Sequence, residues 1–218
     1  MQIVTVLSRK GGTGKSTTAI HLATVAAMAG LKVGLIDLDP QGSTSRWGLR
    51  RGTLTPTVLP MSEAEFANFA SGRRRDADLM VVDTAPAAQV NVGAARAADL
   101  CLIVVRPNIF DVEAVEATAD MVRACGRPGL FVVSQAPPAR MGFETPATRQ
   151  ALETLKSYGL PVAPVSLRSR SAYSAGLPTG VTALESDPGG KAAREVEALW
   201  RAIRAELAHR AEALAGAA

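Results

Sequence analysis

The chain has 218 residues, 47% hydrophobic and 20% charged, with Lys+Arg 24 against Asp+Glu 20 for a formal net charge of +4. That length suits one large domain with a sizeable core, and the mild positive balance permits a nucleic-acid partner without demanding one. Aromatic residues at 4% are too sparse for the stacking platforms of single-strand binders, so any nucleic acid would be held through duplex phosphates.

Met1 runs almost directly into an apolar stretch, so no signal peptide is expected. No apolar run approaches the roughly 20 residues of a membrane span. Cys101 and Cys125 form no C-x-x-C, and with His21 and His209 they offer no metal-site spacing. The expectation is a soluble cytoplasmic protein with two reduced thiols.

Ile3-Val4-Thr5-Val6-Leu7 predicts a buried strand. Ile20, Leu22, Ala23, Ala26, Ala27 and Met28 then recur at helical spacing from near Lys15, and Gly30 ends the helix. Between them lies Ser8-Arg9-Lys10-Gly11-Gly12-Thr13-Gly14-Lys15-Ser16-Thr17-Thr18. A strand, a glycine-rich turn and a helix N-terminus in that order make a phosphate cradle. Glycines let the backbone turn tightly, its N–H groups converge on anionic oxygens, and the helix dipole adds positive potential. Lys10, Gly11, Gly12, Thr13, Gly14, Lys15, Ser16 and Thr17 are therefore the candidate nucleotide-binding residues. Lys15 is placed to reach the β- and γ-phosphates, and the Ser16 hydroxyl suits Mg²⁺. The strict G-x-x-x-x-G-K-[ST] pattern is not met. Arg9 occupies its first glycine position, and a second lysine, Lys10, stands inside the loop.

The run from Lys32 to Ser43 reads as an apolar strand entering two carboxylates, Asp37 and Asp39, stopped by Pro40 and Gly42. Strand alternation puts both on one side at the C-terminal end, which faces the ligand crevice in an open parallel sheet. Residues 44–60 are rich in Arg, Thr and Pro, with Trp47 on a short helix. Ser62-Glu63-Ala64-Glu65 is a capping box opening a helix that ends at Gly72. Arg73-Arg74-Arg75 follows as a solvated loop, a nucleic-acid contact being the alternative.

Leu79-Met80-Val81-Val82-Asp83 has the form of a Walker B strand, with Asp83 holding Mg²⁺ through water. Ala94 to Ala98 looks helical. Leu100 to Val105 is the most continuously apolar strand, buried on both faces. Arg106-Pro107-Asn108-Ile109-Phe110-Asp111 turns into a helix from Val112 to Ala124. Gly129 to Ser134 is another strand, followed by a helix near Thr148 to Tyr158. Pro161 to Val165 is a short edge strand carrying two prolines. An irregular region then leads to a final helix from about Lys191 to beyond Leu207, and the Ala-Gly-rich tail is expected to fray.

Strands alternating with helices predict an α/β fold: a doubly wound, mostly parallel sheet with helices on both faces, as one domain over residues 1–218. Asp83 and Ser16 would anchor Mg²⁺, and Lys10 and Lys15 would offset charge on ATP. Whether Asp37 or Asp39 orients the attacking water is open from the residues alone.

Lys10-Gly11-Gly12-Thr13-Gly14-Lys15-Ser16-Thr17 resembles the deviant Walker A box of the ParA/MinD family of P-loop ATPases. Asp37-Leu38-Asp39-Pro40-Gln41 is similar to that family's D-x-D-P-Q motif. The likeness covers nearly the whole chain and is greatest to the short, ParF-like partition subtype, which lacks an N-terminal helix-turn-helix. Thr13 and Ser16 stand where valine and threonine are commoner. The resemblance implies that Lys10 reaches the partner subunit's nucleotide, that Asp39 is catalytic and that Asp37 supports the metal and lysine network. It also implies that Pro107, Phe110 and Asp111 flank the adenine.

By the same resemblance the chain is a Mg²⁺-dependent ATPase forming a homodimer on ATP. It would bind double-stranded DNA without sequence preference, associate with the nucleoid and answer to a ParB-like or cargo adaptor protein. Arg168, Arg170, Lys191 and Arg194 are the candidate DNA contacts. The implied cargo is plasmid or chromosomal DNA; the alternative is a cytoplasmic protein cluster, such as chemoreceptors, moved by the same cycle. A MinD-like membrane cycle is disfavoured, since the tail from Ala208 carries one large apolar residue, Leu214. A metabolic P-loop enzyme is disfavoured by Lys10.

Overall fold

The computed structural model describes residues 1–52, 54–72, 76–86, 88–139 and 141–215. The Arg73-Arg74-Arg75 run and the last three residues of the tail lie outside them.

Six strands form one parallel sheet among the described residues: β1 (Gln2–Leu7), β2 (Val33–Asp37), β3 (Thr57–Pro60), β4 (Leu79–Asp83), β5 (Leu100–Val105) and β6 (Gly129–Val133), in the order β3-β2-β4-β1-β5-β6. β2, β4, β5 and β6 are buried at every position, which is why they read as continuous apolar runs rather than alternating ones.

The helices are α1 (Lys15–Met28), α2 (Ser43–Arg51), α3 (Glu63–Gly72), α4 (Ala88–Ala97), α5 (Ile109–Ala124), α6 (Pro146–Ser157), α7 (Ala172–Ala175), α8 (Ala183–Ser186) and α9 (Lys191–Ala215). Their starts follow local chemistry. The Ser62 hydroxyl and the Glu65 carboxylate cap α3 reciprocally, and the Asn108 side chain accepts the Asp111 N–H at 3.0 Å to open α5. Thr145 caps α6 ahead of Pro146.

One face of the sheet packs Val4, Val6, Leu35, Val81 and Leu102 against α1, Trp47 of α2 and the inner stripe of α9 (Val196, Leu199, Ile203). The other packs Ile103, Val105, Phe131 and Val133 against α4, α5 and α6, with Ile36, Met80 and Val82 under Phe66 of α3. Each such fully buried aliphatic side chain contributes about 1.5–3 kcal/mol. The layering is the expected doubly wound α/β fold.

Two local expectations fail. Pro161 to Val165 is not a strand: it meets β6 through an isolated bridge between Phe131 and Val162. Pro161 and Pro164 lack the N–H groups a ladder needs, and the hydrogen bonds that remain are scattered, Ala163 N–H to Phe131 O and Leu167 N–H to Val133 O. The sixth strand is instead β3, hidden in the Arg/Thr/Pro-rich segment. The proline bracketing that obscured it, Pro56 and Pro60, is tolerated because β3 is a sheet edge. The irregular region before α9 also contains α7, a 3₁₀ turn (Leu177–Thr179) and α8.

Candidate functional site

The candidate nucleotide and metal groups gather at the C-terminal ends of the strands. Where β1 stops, Gly12 (φ 72°) and Gly14 (φ 89°) take left-handed backbone that a side chain would resist, and the chain turns directly into α1. Gly14 supplies no side-chain cap, so the first-turn N–H groups of α1 are available to an anion. The loop is braced from behind. Ser134 Oγ donates to Thr13 O at 2.6 Å, and Gln135 Nε2 donates to Gly12 O at 2.7 Å. Neither residue is among the candidates from the sequence, whose only signal is that Ser134 and Gln135 are the polar end of an apolar strand. Lys15 is buried, and that burial lowers its pKa against the raising influence of Asp83 and Asp39.

Asp37 and Asp83 end adjacent strands in direct register. Asp83 is fully buried; its Oδ2 accepts the Thr44 hydroxyl at 2.7 Å, and its Oδ1 has no hydrogen-bond partner among the described residues. Burial pushes its pKa up to about 6, helped by the neighbouring Asp37 charge and opposed by Thr44, the nearby Ser16 hydroxyl and Lys15. Asp37 is satisfied by Ser45, whose N–H and hydroxyl both donate to Oδ2 at 2.7 Å.

Asp39 does not share Asp37's setting as alternation predicts. β2 ends at Asp37, the Asp39 N–H turns back onto Asp37 Oδ1 at 3.1 Å, and Asp39 is half-buried with Oδ1 accepting the Gln41 N–H at 2.9 Å. The strand period no longer applies once this turn begins.

An orphaned, buried carboxylate oxygen beside a serine hydroxyl is a hard-oxygen donor set that fits Mg²⁺, an ion that keeps several waters and substrate phosphates as ligands. Among the described residues no group of three or more His, Cys, Asp or Glu is placed to hold a metal ion without other ligands.

Lys10 points away from this cluster. Its Nζ donates to Asp111 Oδ1 at 2.9 Å and to Phe110 O at 3.0 Å, while Arg106 Nε donates to Asp111 Oδ2 at 2.5 Å. Burial alone would raise the Asp111 pKa, but the Arg106 and Lys10 hydrogen bonds outweigh it and hold the carboxyl below its usual range. Pro107 is buried, whereas the Phe110 side chain is 72% exposed.

On the opposite side of Gly14 and Thr17 a cavity of about 280 Å³ runs between α1 and the chain ahead of α9, lined by His21, Gln135, Arg168, Arg170 and Tyr173. Arg168 is held by Glu144 in a two-pronged pair at 2.5 and 2.6 Å, and Arg170 by Glu195 at 2.6 Å. Their side chains are only 13% and 24% exposed. The structure thus places these two predicted DNA contacts in internal ion pairs, whereas Lys191 and Arg194 are exposed at the start of α9.

Residues 4–204 match the family CbiA, the CobQ/CobB/MinD/ParA nucleotide binding domain. The chain belongs to that family. It is a P-loop ATPase of the ParA/MinD kind. It is 33% identical over 210 residues to "Maintenance of carboxysome distribution protein A" of Gloeobacter kilaueensis, covering 94% of each chain. It is also 29% identical over 221 residues to "Protein ParA" of Rhizobium radiobacter, covering 95% of this chain and 98% of that one. The fold is shared with the septum site-determining protein MinD of Pyrococcus horikoshii complexed with Mg-ADP, at a TM-score of 0.77, 17% identity and coverage of 93% and 95%. Among the described residues no helix is long and apolar enough to cross a membrane.

Proposed function

We propose that this ParA/MinD-type ATPase pairs on ATP, binds nucleoid DNA through its phosphates and uses hydrolysis, triggered by an adaptor protein, to position a cytoplasmic protein assembly. The protein cargo is favoured over DNA by one observation: the relative matched nearly end to end at 33% identity is named for carboxysome distribution. The match to a protein named ParA supports DNA partition as the second reading.

In this reading the loop from Lys10 to Thr17 wraps the triphosphate, its N–H groups and Lys15 carrying the negative charge. Asp83 and Ser16 would hold Mg²⁺, which supplies charge neutralisation on the phosphate oxygens. Asp39, fixed by the Gln41 N–H, orients the water that attacks the γ-phosphorus as the bond to ADP breaks. Asp37 keeps the start of α2, and with it Thr44 on Asp83, in place through Ser45. Lys10 leaves Asp111 for the nucleotide of the partner subunit. The nucleoside runs past Gly14 and Thr17 into the 280 Å³ cavity, whose lining does not include Pro107, Phe110 or Asp111.

Two measurements test this. Purified protein should hydrolyse ATP with Mg²⁺ and no acceptor metabolite, and Lys15→Ala should abolish it. In cells lacking the gene, a protein assembly should lose its even spacing while plasmids and chromosome are inherited normally. Normal assembly spacing with plasmid loss would transfer the cargo to DNA.

A further inference from the structure

The first turn of α2 grips three parts of the site with three consecutive residues. The Thr44 hydroxyl donates to Asp83 Oδ2, the Ser45 N–H and hydroxyl to Asp37 Oδ2, and Arg46 Nη1 to Gln41 O. At about 100° per residue, successive side chains of a helix fan out in different directions, so one turn reaches all three. The far end of α2 is fixed as well, with Arg51 donating to Glu185 Oε1 at 2.7 Å and to Gly180 O at 2.8 Å. Thr44 and Ser45 hold carboxylates that buried strand ends already place. Arg46 holds a less secure part of the chain.

Gln41 belongs to the turn Asp39-Pro40-Gln41-Gly42, which carries Asp39 beyond the end of β2. Pro40 and Gln41 are exposed and Asp39 is half-buried, so packing does little to fix this turn and hydrogen bonds must. Two lie within it: Asp39 Oδ1 accepts the Gln41 N–H at 2.9 Å, and Asp39 O accepts the Gly42 N–H at 2.8 Å. Among the described residues two side chains brace it from outside, Asp37 at its start through the Asp39 N–H and Arg46 at its end. Gln41 O and the Gly42 N–H belong to one peptide group. A cation on that carbonyl polarises the N–H and strengthens its bond back to Asp39. Arg46 has a second, longer contact to Ser43 Oγ at 3.4 Å, and among the described residues it pairs with no carboxylate. Its charge therefore acts on the turn.

We propose that Arg46 is a positioning residue for hydrolysis. By holding Gln41 O it keeps the turn in the form that aims Asp39 at the attacking water, without itself touching the nucleotide or the metal. The proposal rests on the reading of Asp39 as the group that orients this water. It names a residue, outside the phosphate loop and the strand-end carboxylates, that sets the rate of the chemical step and leaves nucleotide affinity alone. A displacement of the orienting group by about an ångström costs up to roughly a hundredfold in rate.

The test uses the full chain with Mg²⁺, ATP and the fluorescent analogue mant-ATP. Arg46→Ala should lower kcat about tenfold, while KM and the Kd of mant-ATP stay within about twofold of the parent. The firm contact is one donor rather than a two-pronged fork, so Arg46→Lys should recover most of the rate. Arg46→Met, which keeps only the apolar stem, should recover none. Hydrogen exchange in the nucleotide-free protein reads the brace directly: amides in residues 38–43 should exchange about fivefold faster in Arg46→Ala, with the core strands unchanged. Asp39→Ala serves as the reference. If it is inactive and Arg46→Ala turns over like the parent, the proposal falls and the reading of Asp39 stands. If Asp39→Ala keeps parental turnover, that reading falls and the role of Arg46 with it. If Arg46→Ala raises KM and Kd with kcat intact, Arg46 is a nucleotide-binding cation and the proposal is overturned.

Discussion

Lys10 Nζ lies 2.9 Å from Asp111 Oδ1, 101 residues further along the chain, while Arg106 pairs with the other oxygen of the same carboxylate. The lysine proposed to act on a second subunit is therefore held within its own. Its release leaves the buried carboxylate still neutralised by Arg106.

Asp111→Asn removes the charge but not the Phe110 O acceptor at 3.0 Å, so it should loosen Lys10 and favour ATP-dependent pairing. The Lys10 side chain is 38% exposed, so the contact is largely screened, and weakening it is worth under about 1 kcal/mol, or up to roughly fivefold in dimer affinity. Sedimentation velocity with ATP across protein concentrations measures this. Lys10→Ala should abolish both pairing and turnover. An Asp111→Asn protein that dimerises like the parent would mean that the contact does not restrain Lys10.

Asp83 predicts a pH signature. Its folded pKa, about 6, lies above the unfolded carboxyl value, so between roughly pH 4 and 6 the native state holds a proton that the unfolded state has lost. Without Mg²⁺, stability from this residue is present below pH 4 and is lost as pH rises through 6, by about 3 kcal/mol in total. Asp83→Asn cannot titrate. In EDTA its stability relative to the parent should climb by about that amount from pH 4 to 7 in urea unfolding, although hydrolysis is lost.

His21 predicts the opposite trend. Buried on α1, it donates through Nδ1 to Thr17 O at 2.8 Å and accepts the Ala183 N–H at Nε2, 3.2 Å away, which defines the neutral tautomer. Burial lowers its pKa to about 4, only partly offset by Thr17 and Glu185. Between pH 6.5 and 4 the unfolded chain takes up a proton that the native state refuses, so stability falls with pH by up to about 3 kcal/mol. His21→Gln can make both hydrogen bonds and should flatten that fall. An unchanged slope would show that His21 is not its source.

Arg51 ties α2 to the chain ahead of α9. It donates to Glu185 Oε1 at 2.7 Å and to Gly180 O at 2.8 Å, and lies 4.9 Å from the centre of the Trp47 ring. Arg51→Ala leaves these acceptors unpaired and should cost about 3–5 kcal/mol, with Arg51→Lys recovering little because an ammonium lacks the planar fork. Gly180→Ala should also destabilise. Gly180 has φ 77°, and a Cβ there would sit 2.6 Å from Arg51 Cα. Denaturant midpoints measure all three.

Local chemistry in the sequence determined the phosphate loop, the strands ending in Asp37 and Asp83, the cap of α3 and the doubly wound layering. Glycine conformation, hydrophobic period and capping act over a few residues, so they are legible one segment at a time. Tertiary structure alone decided which strand fills the sixth place, because proline excludes a segment from a ladder's interior but not from its edge. It also decided the fate of individual charges. Lys10 meets Asp111, and Arg168 and Arg170 meet Glu144 and Glu195, whereas Arg201 and Arg204 remain in solvent. Ion pairing depends on a few ångströms between groups that the chain separates by tens of residues, and no local pattern encodes that distance.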